Sequence, residues 1–117
     1  MAMYVSSGGS GSGTTAPAAG SSTVVTLLTT PNVANTLYIV QVTWCLYSTA
    51  QDTVVNCVPL GTMQASSSHT SEVGTGEGCI FKVGPNIATK ISFGNSSGNA
   101  ASCAYAYNYI GFIMDTT

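Results

Sequence analysis

The residues able to carry acid–base or nucleophilic chemistry are few in this chain of 117 residues. The lone histidine, His69, lies in SSSHTSE, among serines and three residues before Glu72, which invites a Ser-His-acid reading. A nucleophilic serine needs a rigid elbow and a base held in fixed geometry. This stretch reads instead as a polar loop, with no strand-to-helix turn around any serine, so His69 is expected to be a loop histidine. Among the carboxylates only Glu72 and Glu77 are close, both in the glycine-rich EVGTGEG. Spacing there supports no glycosidase-type pair, and the dense D-x-[DN]-x-[DN]-G pattern of a calcium loop is missing. The same glycines do not follow a strand and open a helix, so a phosphate cradle fails on context.

Cys45, Cys57, Cys79 and Cys103 contain no C-x-x-C pair, the usual spacing of structural zinc. The N-terminus MAMYVSSGGS lacks the basic and apolar regions of a secretory signal. A reducing compartment is therefore expected, with free, buried thiols rather than disulfides. By the same reasoning the acceptor pattern Asn95-Ser96-Ser97 is expected to stay unglycosylated. No catalytic residue, metal site or cofactor is expected, and the chain is read as a non-enzyme.

The aromatics remain. Trp44 and the period-two row Tyr105, Tyr107 and Tyr109 could stack on sugar rings, since an aromatic face with a polar tip suits a wet site. A tyrosine row on a strand more often packs, with its hydroxyls reaching a rim or a neighbouring subunit. An aromatic interface is thus the first expectation and a ligand face the second.

Composition limits the partners. Charged residues make up 5% of the chain, with two Lys, no Arg and a net charge of −2, against about 25% charged in an average soluble protein. Two lysines cannot neutralise the phosphates that supply nucleic-acid affinity, and no apolar run approaches the roughly 18 residues of a membrane span. Neither nucleic acid nor membrane is an expected partner. The missing charge is replaced by 15 Ser, 16 Thr and 13 Gly. Full disorder does not follow, because 44% of the residues are hydrophobic.

These residues must be positioned by strands. From Ser6 to Thr23, 14 of 18 residues are Gly, Ser or Thr, a flexible-linker composition. Ahead of it sits an apolar tip containing Met1, Met3, Tyr4 and Val5. Residues 1–23 are therefore expected to form a flexible N-terminal arm whose tip anchors on a neighbour, followed by one β-sandwich domain over residues 24–117. In that domain TVVTLLT, LYIVQVTWCLY, TVVNCVPL, CIFKV, ATKISF and CAYAYNYIGFIM read as strands. Pro31-Asn32, Gly84-Pro85-Asn86 and the run from Gly94 to Asn99 read as turns. Period-two alternation puts Tyr38, Val40, Val42, Trp44 and Leu46 on a core face, and leaves Gln41, Thr43 and Cys45 on a mixed face suited to contact with another sheet or chain. Six to eight strands at spacings of roughly ten residues predict an all-β, antiparallel β-sandwich or jelly roll.

The C-terminal stretch CIFKVGPNIATKISFGNSSGNAASCAYAYNYIGFIM, with its Gly-Pro-Asn turn, polar Gly/Asn/Ser loop and final aromatic strand, resembles the small jelly-roll modules of tailed-bacteriophage virions. The likeness spans residues 24–114. It implies a virion structural role, as a capsid decoration or cement subunit or a fibre tip, commonly as a homotrimer. The expected partner is then the major capsid protein or another virion protein, and the expected location the outer capsid surface after assembly in the host cytoplasm. Decoration is preferred to a fibre because no heptads or repeats leave room for a shaft. Two alternatives come from other classes. One is a tip that binds a host receptor or surface glycan. The other is an extracellular filament subunit whose N-terminal strand complements a neighbour's sheet.

Overall fold

The computed structural model describes residues 3–48, 50, 52–60 and 69–114. Eight strands account for most of it: β1 (Met3–Thr15), β2 (Ser22–Thr29), β3 (Thr36–Leu46), β4 (Val54–Leu60), β5 (His69–Glu72), β6 (Gly76–Val83), β7 (Ala88–Asn95) and β8 (Cys103–Met114). They form two four-stranded sheets, in the orders β1-β8-β3-β6 and β2-β7-β4-β5. Every ladder between named strands is antiparallel. Strands 1 to 4 alternate between the sheets, as do strands 5 to 8, so the chain winds around the sandwich in jelly-roll fashion.

Alternation along β3 is clean: Tyr38, Val40, Val42, Trp44 and Leu46 point inward and are at most 4% exposed. The facing sheet contributes Leu27, Val55, Cys57, Ile91 and Phe93. Side chains directly opposite across a ladder share a face, so the register carries this inward face across to β8, where Tyr109, Tyr107 and Tyr105 oppose Val40, Val42 and Trp44.

Turn chemistry follows the sequence. In the Gly84-Pro85-Asn86 turn, Asn86 takes a φ of 56°, a left-handed conformation that Asn tolerates better than most residues. Buried Thr30 fastens this turn to the end of β2. Its hydroxyl donates to the Gly84 carbonyl at 2.7 Å and accepts from the Ile87 amide at 2.9 Å.

The N-terminal segment departs from expectation. The Gly/Ser-rich arm expected to be flexible is, from Met3 to Thr15, an edge strand running antiparallel along the whole of β8, and it supplies one of the eight strands of the jelly roll. The expected boundary at residue 23 falls inside β2. The physical reason lies in the register: Gly9, Gly11 and Gly13 oppose Tyr109, Tyr107 and Tyr105. The rings of β8 lie over the bare glycine backbone, and a Cβ on Gly11 would meet the Tyr107 ring and hydroxyl at 2.5 to 2.7 Å. Strand glycines are weak because they bring nothing to pack. Here the packing comes from the neighbouring strand, an aromatic rescue of edge glycines.

The Asn95 side chain helps to hold the exit from β1, beside the Ala101 amide, which donates to the Pro17 carbonyl at 3.0 Å. Asn95, 2% exposed, donates through Nδ2 to the Pro17 carbonyl at 3.1 Å, the Ala18 carbonyl at 3.3 Å and the Asn99 carbonyl at 2.7 Å. Its Oδ1 accepts from the Ser97 amide and hydroxyl. With that nitrogen committed, the Asn95-Ser96-Ser97 pattern is a structural turn.

Candidate functional site

The outward face of the β1-β8-β3-β6 sheet is the candidate surface among the described residues. Register builds it row by row. Thr14, Ala104, Cys45 and Gly76 form one row, and Ser12, Ala106, Thr43 and Gly78 the next. Ser10, Asn108, Gln41 and Ile80 follow, and then Gly8, Ile110, Ile39 and Lys82. In a last row Val5 opposes Phe112, which opposes Leu37.

Two halves result. One is polar and uncharged, with small alanines along β8 flanked by hydroxyl and amide groups. It holds a shallow depression of about 420 Å³ bounded by Ser10, Ser12, Gln41, Thr43 and Asn108. A second depression of about 250 Å³ follows along Thr43, Cys45 and Ala104. The other half is apolar. Val5 is 64% exposed, Ile80 63% and Ile110 39%, with Ile39, Leu37 and Phe112 half-buried beside them. A third depression, about 310 Å³, lies between Ile39, Ile80 and Ile110. Lys82 carries the one charge in these rows. Apolar side chains grouped on a surface mark contact sites, whereas scattered ones do not.

The residues singled out from sequence are distributed as follows. Met1 lies outside the described residues. Met3, Tyr4 and Val5 open β1, their backbones opposite Met114, Ile113 and Phe112, and Val5 joins the apolar half of the outer face. Trp44 is in the core, 4% exposed, with Nε1 donating to Ser71 Oγ at 2.9 Å. Tyr105, Tyr107 and Tyr109 line the inner face and are half-buried against the core. Tyr109 meets Tyr38 edge-on at 6.1 Å, and Tyr105 meets Phe93 of the facing sheet at 5.9 Å.

His69, expected in a loop, opens the short strand β5. Its Nδ1 lies 3.3 Å from Glu77 Oε1 and its ring meets Trp44 edge-on at 5.5 Å. The ring is thus held against a carboxylate and an indole.

The four thiols are free. Cys45 is exposed on the outer face, whereas Cys57 and Cys103 are buried. Burial pushes the Cys57 thiol up to about 12, helped by the Cys103, Glu77 and Cys79 groups nearby. Burial and the Cys45 thiol push Cys103 up to about 11. Burial, with Glu77, also raises Cys79. A raised pKa means little thiolate and little nucleophilicity near neutral pH. No cluster of three His, Cys, Asp or Glu side chains among the described residues is arranged to hold a metal.

Sequence reasoning missed two parts of this surface: the apolar half, whose residues come from four strands, and the contribution of β1. The signal for the second was present in the matched spacing of Gly9, Gly11 and Gly13 with Tyr109, Tyr107 and Tyr105.

No family model matches the chain, and no curated protein is similar to it in sequence. Among solved structures, 99% of this chain superposes on 33% of a chain in the structure of infectious bursal disease virus, Gx strain, with 12% identity and a TM-score of 0.57. This chain therefore spans about a third of that one, and at such identity the likeness is one of fold. Weaker similarity extends to a chain of the Bacillus endospore appendages described as disulfide-linked pili, with 10% identity, 92% of this chain and 89% of that one covered, and a TM-score of 0.47. A family 16 carbohydrate-binding module gives 13% identity, coverage of 76% and 70%, and a TM-score of 0.35. The chain is thus an all-β jelly-roll sandwich, a fold it shares with part of a viral protein.

Proposed function

We propose that the chain is a non-enzymatic structural subunit that docks on a larger protein particle, in the role of a capsid decoration or cement protein on a virion exterior. The observation that carries this reading is the outer face of the β1-β8-β3-β6 sheet, with one charge in its rows and an exposed apolar end built from Val5, Ile80 and Ile110. The cores of protein interfaces are depleted in charge and apolar at the centre. Contacts of this kind are little weakened by salt, which screens charge pairs and leaves apolar burial intact. Val5 gives the N-terminal segment a share in the anchoring, as a fixed strand rather than a tether. The viral likeness contributes architecture alone.

The test is occupancy on particles. Virus particles from a culture carrying the coding sequence, purified at low and at high salt, retain the wild-type chain in fixed copy number by mass spectrometry. Ile80→Glu, placing a charge in the apolar half, lowers that occupancy severalfold. Particles devoid of the chain, or indifferent to Ile80→Glu, overturn the reading.

The glycan-binding alternative calls for exposed aromatics, and Trp44 and the tyrosine row turn toward the core. Glycan-array binding lost on Thr43→Arg, in the polar half, would revive it.

A further inference from the structure

Four edge strands border the two sheets, and three of them carry features that discourage pairing with another chain. β5 is four residues long and carries Glu72. β6 carries Glu77 and Lys82. β2 is broken by an irregularity between Thr26 and Leu28. The remaining edge, β1, has its irregularity near the start, between Val5 and Ser7. Beyond it, nine consecutive residues from Ser7 to Thr15 run in unbroken register without a charge or a proline. A long, regular, uncharged edge presents a row of unpaired backbone amides and carbonyls to a further strand.

The sequence of that edge is symmetric about Gly11. Residues 9–13 read Gly-Ser-Gly-Ser-Gly in both directions. Antiparallel pairing of two copies about a two-fold axis at Gly11 places Gly9 opposite Gly13 of the second copy and Ser10 opposite Ser12. Glycines meet glycines on the inner face, and serines meet serines on the outer face, where Ser10 and Ser12 are exposed. A two-fold interface requires this self-complementarity. The tyrosines add a second observation. Their rings extend across β1, with the Tyr107 hydroxyl over Gly11 and the Tyr109 hydroxyl over Gly9. Among the described residues, none hydrogen-bonds to the hydroxyls of Tyr105, Tyr107 or Tyr109. The axis brings the Tyr107 hydroxyls of the two copies to either side of one strand spacing of about 4.8 Å.

We infer that the partner of the β1 edge is the β1 edge of a second copy, joining the two β1-β8-β3-β6 sheets into one continuous eight-stranded sheet. This deepens the proposed structural role and rests on it for its purpose. It replaces the trimer implied by the phage resemblance with a two-fold dimer as the assembling unit.

Sedimentation equilibrium of the full chain over a concentration series tests it. Wild type approaches twice the 11.9 kDa chain mass. Ser10→Lys/Ser12→Lys sets lysines opposite lysines and weakens the dimer by about tenfold or more. Ser10→Lys/Ser12→Glu sets each lysine opposite the other copy's glutamate and restores it. Hydrogen exchange of wild-type β1 amides, slowing as concentration rises, gives a readout that needs no variant. A monomer throughout, a trimer, or a dimer indifferent to the double-lysine change overturns the inference. Ile80→Glu keeps the two readings apart, since it lowers particle occupancy and leaves the dimer intact. A chain that occupies particles while remaining monomeric in solution defeats the dimer alone.

Discussion

The Tyr107 ring lies across the backbone of Gly11, so close that a Cβ at Gly11 would stand 2.5 Å from its hydroxyl oxygen and 2.6 Å from Cζ. The tyrosine is therefore the side chain that glycine lacks, and the docking of β1 depends on the absence of a side chain at this position. Gly11→Ala forces the ring outward and is expected to cost about 1–3 kcal/mol, in the range of overpacked sites. Ser12→Ala, one residue along and facing solvent, is expected to stay within about 0.5 kcal/mol of wild type. Urea denaturation of both variants measures the difference. Equal stabilities would show that the rings do not hold β1.

Asn95 Nδ2 joins β7 to the β1–β2 connection through the Pro17 and Ala18 carbonyls, and to the β7–β8 loop through the Asn99 carbonyl. Asn95→Ala removes these bonds, leaving the Pro17 carbonyl with the Ala101 amide alone and the Asn99 carbonyl with the Ser97 hydroxyl, at about 0.5–1.5 kcal/mol for each hydrogen bond lost. Asn95→Asp is expected to be at least as costly, because its second oxygen would face those carbonyls without a proton to donate. Thermal melts should rank wild type above both. Limited proteolysis should open the connection at residues 16–21 first, since that segment keeps only its backbone bonds to Ala101 and Asn95 while the sheets remain.

Six of the eight strands were legible from β-branched runs and turn residues, and the inward face of β3 from alternation alone, because burial on one side of a sheet imposes period two. β5 was not legible. Four polar residues carry no alternation, and its position comes from β4, whose Cys57 opposes His69. β1 was misread for a different reason. Composition reports what a segment can pack with its own side chains, and β1 borrows its packing from Tyr105, Tyr107 and Tyr109, about a hundred residues away in sequence. The apolar half of the outer face stayed hidden because Val5, Leu37, Ile80 and Ile110 become neighbours through register across four strands.

Thr89 and Thr53 are fully buried, and neither hydroxyl has a hydrogen-bond partner among the described residues. Such a group loses its water on folding with no replacement, at a cost of about 1–3 kcal/mol. Thr89→Val keeps the branched shape on β7 and removes the hydroxyl, so it is expected to raise stability by about 1 kcal/mol. A higher urea midpoint with an unchanged slope would confirm it. A loss of stability would mean that the hydroxyl is satisfied in solution.

The buried thiols set an alkaline limit. Cys57 and Cys103 are raised from an ordinary 9.0 to about 12 and about 11, first by burial. In the unfolded chain both lose their protons near 9, whereas the folded chain holds them. Between these values the folded state binds more protons, so unfolding becomes easier as pH rises. The stabilisation is fully present below pH 9 and declines from there toward 11–12, by up to about 1.4 kcal/mol per pH unit for each thiol. Urea midpoints at pH 7, 9 and 10 test this, and Cys57→Ala/Cys103→Ala, though less stable at pH 7, should show a flatter decline. Thiol labelling at pH 7.5 gives the complementary readout. Exposed Cys45 reacts first and Cys79 more slowly, while Cys57 and Cys103 react only as fast as the sandwich opens. Labelling of Cys57 at the rate of Cys45 would place that thiol at the surface and remove the basis for the alkaline slope.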